Sequence, residues 1–190
     1  IESAEEVRSI DETLTALERE VGLPRGGIRI EPLIESAAAE EKVFEIARSS
    51  KRLVGLVFGS YDYWASLGMG ASGYRADHPL IAAARERIVK AAASVGIPAI
   101  AEMTTNYPTR DKSDTERRAA IEEFRSDAIL ARDFGFAGKW TGIPDQTTLA
   151  VEIFQTSDEE IERAINEAKQ FLQAEASGRG ATMIAGKMAD

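Results

Sequence analysis

Cysteine is absent from the sequence, and histidine occurs once, as His78. The first absence removes disulfides, thiolate nucleophiles and cysteine-based metal sites, and it fits a cytoplasmic protein. The second removes any histidine-rich metal site and leaves carboxylates or lysines as general bases. Positive charge is also scarce: 23 Lys and Arg stand against 32 Asp and Glu, a formal net charge of −9. Phosphate backbones need a basic footprint, so no nucleic-acid partner is expected, although a few local basic side chains suffice for a small anion. No apolar run is long enough to cross a bilayer, so no membrane partner is expected either. No signal-peptide pattern opens the chain. It begins at Ile1 and enters a helical pattern at once, which leads us to expect further residues upstream.

Apolar residues make up 44% of the 190 positions, enough for one domain with a sizeable core. Their spacing alternates between two periods. Val7, Ile10, Leu14 and Leu17 recur at helical spacing over Glu2 to Val21. "IRIEPLIE" (28–35) reads as a strand, and Ser36 caps a helix running to about Ser49. "RLVGLVFG" (52–59) is a near-continuous apolar run, as in a strand buried on both faces. A long Gly-rich loop is expected from Ser60 to Asp77, then a helix from Pro79 to Val95. A strand over 97–103, a polar loop, a helix over 115–133 and a short strand over 136–142 follow. Helices near 146–154 and 157–176 precede a Gly-rich tail.

Strands alternating with helices predict parallel βαβ units. Four such units are either a small open doubly wound sheet or half of an eight-fold barrel. No phosphate-loop or dinucleotide fingerprint follows any of the strands, which counts against the common nucleotide-binding open sheets.

In parallel α/β folds, reactive groups gather at the carboxyl ends of the strands. The first strand ends in Glu35, the second is followed by Asp62, and the third carries Glu102. If the first two strands are neighbours, Glu35 and Asp62 leave the same end of strands about 4.8 Å apart. Two carboxylates that close repel unless a cation lies between them, and an oxygen-only pair suits Mg²⁺ or Mn²⁺. The alternative is that both are acidic residues favoured at helix starts and hold no metal. Glu102 either supports such a site or simply faces the opening.

"IEPLIESAAAEEKVFEIA", "RLVGLVFGSYDYWASLG", "DFGFAGKWTGIPDQ" and the final "GKMAD" together resemble the citrate lyase β-subunit and malyl-CoA lyase group of the HpcH/HpaI aldolase superfamily. Order and spacing agree from about Ile28 to Asp190. The resemblance implies a (β/α)8 TIM-type barrel. This chain would supply roughly its C-terminal half (1–155), followed by a C-terminal helix and lid segment (156–190). It implies Mg²⁺ held by Glu35 and Asp62, a ketoacid carboxylate met by the backbone around Ser60 and Tyr61, and Asp190 as the catalytic acid/base on a lid that reaches a neighbouring subunit. The activity implied is cleavage of a 3-hydroxyacyl-CoA into an acyl-CoA and a 2-oxoacid, or the reverse condensation, in a homo-oligomer, trimer or hexamer. A CoA-independent aldolase, a thioesterase variant and a non-catalytic assembly fragment are the rival readings. Two departures stand out: the family's substrate-steadying Arg would lie upstream of Ile1, and Ile143 stands where His is common.

The remaining conspicuous residues have plain readings. Trp64 and Trp140 read as packing residues, and His78, before Pro79, as a surface residue at a helix entry. Lys139 suits either an anion or an ion pair. Arg110 and Lys112 sit in a loop that could meet CoA phosphates or simply be solvated.

Overall fold

A computed structural model describes residues 1–178, 182–184 and 187–189. Four strands form one sheet in the order β1-β2-β3-β4: β1 (Leu33–Ile34), β2 (Leu56–Phe58), β3 (Ala99–Ala101) and β4 (Gly138–Lys139). All three pairings are parallel. Each strand follows its predecessor in space as in sequence, with helices in the connections, so the four βα units run consecutively as predicted. No antiparallel pair interrupts them.

The strands are shorter than their apolar runs. Pro32 has no N–H to give to the ladder, and pairing upstream of it reduces to an isolated bridge between Ile30 and Leu53. β2 is buried throughout, as its continuous apolar run requires.

α1 (Ala4–Val21) is capped by Ser3, whose hydroxyl accepts from the Glu6 amide, and it ends at Gly22 in the left-handed region (φ 73°). The helix expected after Ser36 is two pieces, α2 (Ala37–Glu41) and α3 (Val43–Ala47). The guanidinium of Arg87 explains the break. It donates to the carbonyls of Glu40 (3.1 Å) and Glu41 (2.7 Å), which an unbroken helix would offer to residues 44 and 45.

A second correction concerns the segment after β2. The expected loop from Ser60 to Asp77 contains a helix, α4 (Ser60–Ser66), and a 3-10 turn at Ala71–Gly73. "SYDYWAS" has no glycine, and burying Tyr63 and Trp64 gives this turn of chain the tertiary packing that short helices need. α5 (Pro79–Ala93), α6 (Asp114–Asp133, with a capping box between Ser113 and Glu116) and α7 (Pro144–Phe154) complete the first of two units, which ends at Phe154. Its main core gathers Ile34, Leu56, Phe58, Ile81 and Ile88, all fully buried.

The second unit begins at Gln155 and contains α8 (Asp158–Ala176). In the tail, β5 (Thr182–Ile184) and β6 (Lys187–Ala189) pair antiparallel, Met183 opposite Met188, a hairpin the Gly-rich sequence did not announce. Among the described residues, no helix is long and apolar enough to cross a membrane.

Candidate active site

β1 and β2 are parallel neighbours with Ile34 opposite Phe58. The next residues along them are Glu35 and Gly59, and the Gly59 amide donates to the Ile34 carbonyl at 2.8 Å. A β-carbon on Gly59 would lie 2.7 Å from the Glu35 β-carbon and 3.3 Å from its Oε2. No packed pair of carbons tolerates that approach, so a bare Gly59 leaves the space that Glu35 occupies at the end of β2. Ser36, not Glu35, caps α2: its hydroxyl accepts from the Ala39 amide at 3.1 Å. Glu35 is thus not engaged in starting a helix.

Asp62 is exposed in the first turn of α4, where the helix N-terminus favours negative charge. It and Glu35 leave the same end of adjacent strands. Among the described residues neither carboxylate makes an ion pair or side-chain hydrogen bond. Asp62 is therefore solvated, which answers how a carboxylate persists among Tyr61, Tyr63 and Trp64. No group of three or more His, Cys, Asp or Glu side chains placed to hold a metal occurs among the described residues, so a cation here would find two carboxylates and no third acidic or imidazole ligand among them.

The N-cap of α4 is Gly59, with no side-chain cap. The first bond of its ladder runs from the Tyr63 amide to the Gly59 carbonyl at 2.9 Å, so the amides of Ser60, Tyr61 and Asp62 precede the ladder. The Ser60 side chain does not face an open site. It is fully buried and donates to Glu102 Oε1 at 2.7 Å. The Tyr74 hydroxyl lies 2.7 Å from Ser60 Oγ. Ser60 gives its one proton to the carboxylate, so Tyr74 donates to Ser60. Tyr61 stacks on Tyr74 with ring centroids 4.2 Å apart. Burial pushes both phenols up from their ordinary value, and they remain protonated donors.

Glu102 belongs to a closed ring of buried charges. Arg85 Nη2 donates to Glu102 Oε1 (2.6 Å) and to Asp127 Oδ1 (3.0 Å). Lys139 Nζ pairs with Asp127 Oδ2 (2.5 Å) and donates to the backbone carbonyl of Glu102. Burial pushes the Asp127 carboxyl up, but the charges of Lys139 and Arg85 outweigh it and hold the group below its ordinary value. Likewise, burial disfavours the Arg85 cation, and Glu102 and Asp127 more than offset that. Two cations meet two anions, so the ring is neutral. Among the described residues it is not fully satisfied within the protein: Arg85 Nε and Glu102 Oε2 are buried without a protein partner.

Several open sequence readings close here. Lys139 is in an ion pair, and Glu102 is a buried network member rather than a group facing the opening. Lys112 donates to Asn106 Oδ1 and the Tyr107 carbonyl, both at 2.7 Å, and so holds its own loop, whereas Arg110 is exposed. Trp64 is buried with its Nε1 on the Gly70 carbonyl, while Trp140 is 36% exposed. His78 caps α5, accepting from the Leu80 amide. Beside Ile143, buried Gln146 accepts from the Gly142 amide and donates to Thr104, tying together the loops after β4 and β3. Asp190 lies outside the described residues.

Arg85 and Asp127 were not anticipated, yet a signal existed. Arg85 shares the buried stripe of α5 with Ile81, Ala84 and Ile88, and Asp127 shares that of α6 with Phe124, Ala128 and Ala131. A charge on an apolar stripe needs a buried partner.

Comparison with known proteins identifies the family and the fold. The HpcH/HpaI aldolase/citrate lyase family model matches residues 1–141. An L-malyl-CoA/beta-methylmalyl-CoA lyase of Rhodobacter capsulatus is 33% identical over 98% of this chain and 59% of its own length. A citrate lyase subunit beta of Haemophilus influenzae is 30% identical over 100% of the chain and 60% of its own length. The chain thus spans about three fifths of these curated relatives. Among solved structures, a citrate lyase from Burkholderia xenovorans superposes with a TM-score of 0.77 at 24% identity, covering 100% of this chain and 57% of that one. It shows the shared fold. Protein CitE from Mycobacterium tuberculosis, in complex with magnesium, acetoacetate and coenzyme A, matches at 26% identity with a TM-score of 0.63, over 100% of this chain and 60% of that one. The four parallel βα units are part of a TIM-type barrel, and the chain belongs to the HpcH/HpaI aldolase/citrate lyase family.

Proposed function

We propose that the protein is a Mg²⁺-dependent carbon–carbon lyase, with Mn²⁺ able to substitute. It cleaves a 3-hydroxyacyl-CoA such as malyl-CoA or citramalyl-CoA into an acyl-CoA and a 2-oxoacid, or runs the reverse condensation. One observation carries the proposal: Glu35 and Asp62 leave the same end of paired strands, neither makes an ion pair or side-chain hydrogen bond among the described residues, and Gly59 is bare beneath Glu35. The lyases among its relatives and the magnesium and coenzyme A held by CitE support it.

The donor set fits the ion, because Mg²⁺ is commonly held by one or two carboxylates and keeps several waters. Glu35 and Asp62 would hold it. When bound, it supplies Lewis-acid polarisation and a template for the 2-oxoacid's oxygens. The Ser60 and Tyr61 amides, ahead of the α4 ladder, donate to the oxoacid carboxylate. The Tyr61–Tyr74 stack stiffens the turn that presents them. Cleavage moves the substrate's 3-hydroxyl proton to a base and breaks the C2–C3 bond, whose electron pair passes into the thioester enolate. Protonation at the α-carbon completes the balance, and we assign that proton to Asp190 in a neighbouring subunit of a homo-oligomer.

The test is the release of glyoxylate from malyl-CoA, trapped as its phenylhydrazone. EDTA should abolish release and Mg²⁺ restore it. Glu35→Gln should lower kcat/KM by about 100-fold or more, at or beyond the range for outer-shell partners of a metal site. Cleavage indifferent to EDTA would contradict the metal role. Cleavage of a free hydroxy-ketoacid, with none of malyl-CoA or citramalyl-CoA, would replace this reading by the CoA-independent aldolase.

A further inference from the structure

We infer that Glu102 is a positioning residue for the cation site. Through Ser60 it fixes the first turn of α4, which carries Asp62, and Arg85, Asp127 and Lys139 fix Glu102 in turn. The inference rests on the two-carboxylate cation site proposed above.

α4 spans seven residues and lacks a side-chain cap. A helix that short does not hold itself in place, since nucleation is unfavourable and tertiary contacts must supply the order. Tyr63 and Trp64 hold its body by burial and Ser66 accepts the Ala37 amide at its far end, but its start is tied to the strand ends through Ser60: Oγ reaches Glu102 Oε1 at 2.7 Å and accepts from Tyr74. Asp62 lies two residues on, in the same turn, and among the described residues its carboxylate makes no ion pair or side-chain hydrogen bond. Glu35, by contrast, ends β1 and is seated over Gly59. The distance between the two carboxylates therefore depends on where the start of α4 sits relative to the sheet. The Ser60–Glu102 bond sets that.

The anchor is itself immobilised from three directions. Arg85 on α5 holds the Glu102 carboxylate, Lys139 at the end of β4 holds its backbone carbonyl, and Asp127 on α6 joins the two cations. Apolar residues of the same volume often stabilise a fold as well as a buried ion network or better. This ring additionally leaves Arg85 Nε and Glu102 Oε2 without a protein partner among the described residues. Such an arrangement serves placement rather than stability, as departures from local rules tend to do beside functional sites.

The experiment measures Mn²⁺ affinity of the full chain by electron paramagnetic resonance, alongside hydrogen exchange of the α4 amides in metal-free protein. Ser60→Ala removes the anchor and leaves the ring intact. Glu102→Gln keeps the shape and removes the charge. Each should weaken Mn²⁺ binding roughly 10-fold or more, as outer-shell partners of metal ligands do. The double variant should be little worse than the weaker single, because both act through one bond. Exchange at Tyr63–Ser66 should quicken in Ser60→Ala. Asp11→Ala, which strips a partner from the distant Arg52, should lower stability and leave both readouts unchanged. Unchanged Mn²⁺ affinity in Ser60→Ala, with loss in Asp62→Asn, would overturn the positioning role and leave the cation site standing. Affinity indifferent to Asp62→Asn and Glu35→Gln would instead remove the cation site, and this inference with it.

Discussion

Two arginines are buried beside the sheet, one toward each end of its strands, and they are used in opposite ways. Arg52, before β2, spends all five of its N–H groups. Nε meets Asp11 (2.6 Å), Nη1 meets Glu18 (2.6 Å) and the Ile28 carbonyl (3.0 Å), and Nη2 meets Glu18 (2.7 Å) and Thr15 (2.8 Å). Glu18 also accepts the amides of Gly26 and Ile28, both at 2.8 Å. Arg85, at the carboxyl end, leaves Nε unused, and its partner Glu102 leaves an oxygen unused. The saturated centre ties α1 to the start of the sheet. The unsaturated one reaches, through a single hydroxyl, the turn that carries Asp62. The matched cluster acts as a fastener, whereas the one at the strand ends is where the positioning role inferred above would lie.

Removing each arginine should break the comparison most sharply. Arg85→Met leaves Glu102 and Asp127 with one cation between them. It should destabilise the fold by about 3–5 kcal/mol, the usual loss when one partner of a buried pair is removed, and it should also weaken Mn²⁺ binding. Arg52→Met should also lower the urea midpoint, since Glu18 and Asp11 both lose their counter-ion, while Mn²⁺ affinity stays that of the parent. Equal damage to the metal site from both variants would mean that the two clusters do not differ in role.

A smaller effect separates them by pH. Hydrogen bonds from Arg52, and then from the Ile28 and Gly26 amides, lower the Glu18 carboxyl from 4.5 to about 2 against the opposing effect of its burial. A depressed carboxyl stabilises the fold above its unfolded value, and that contribution fades as pH falls toward the folded one. The stability gap between the parent and Glu18→Gln should therefore be constant near neutrality and narrow from about pH 4.5 down to 2. Urea unfolding at stepped pH measures it. A gap that widens on acidification would reverse the sign assigned to Glu18.

Periodicity made the four parallel strands legible, because residues buried on both faces must read as unbroken apolar runs, and "RLVGLVFG" does. It also placed Glu35 and Asp62 at one rim. Three things escaped it. α4 was hidden because glycines at 59, 68, 70 and 73 surround a seven-residue helix whose stability comes from burying Tyr63 and Trp64. The break between α2 and α3 depends on Arg87, more than 40 residues away in sequence. The ring around Glu102 joins the residue after β3 to residues of α5, α6 and β4, a three-dimensional pairing that no local pattern encodes. Its trace was two charges on apolar stripes.

The most direct test of the cation site is an anomalous difference map from crystals grown with Mn²⁺. The site described here predicts one strong peak at the carboxyl-end rim, within about 2.1 Å of an oxygen of Glu35 and of Asp62 or bridged to either by one water. A map with both carboxylates ordered and the ion bound elsewhere, or with Glu35 and Asp62 directed to opposite faces of the sheet, would contradict it.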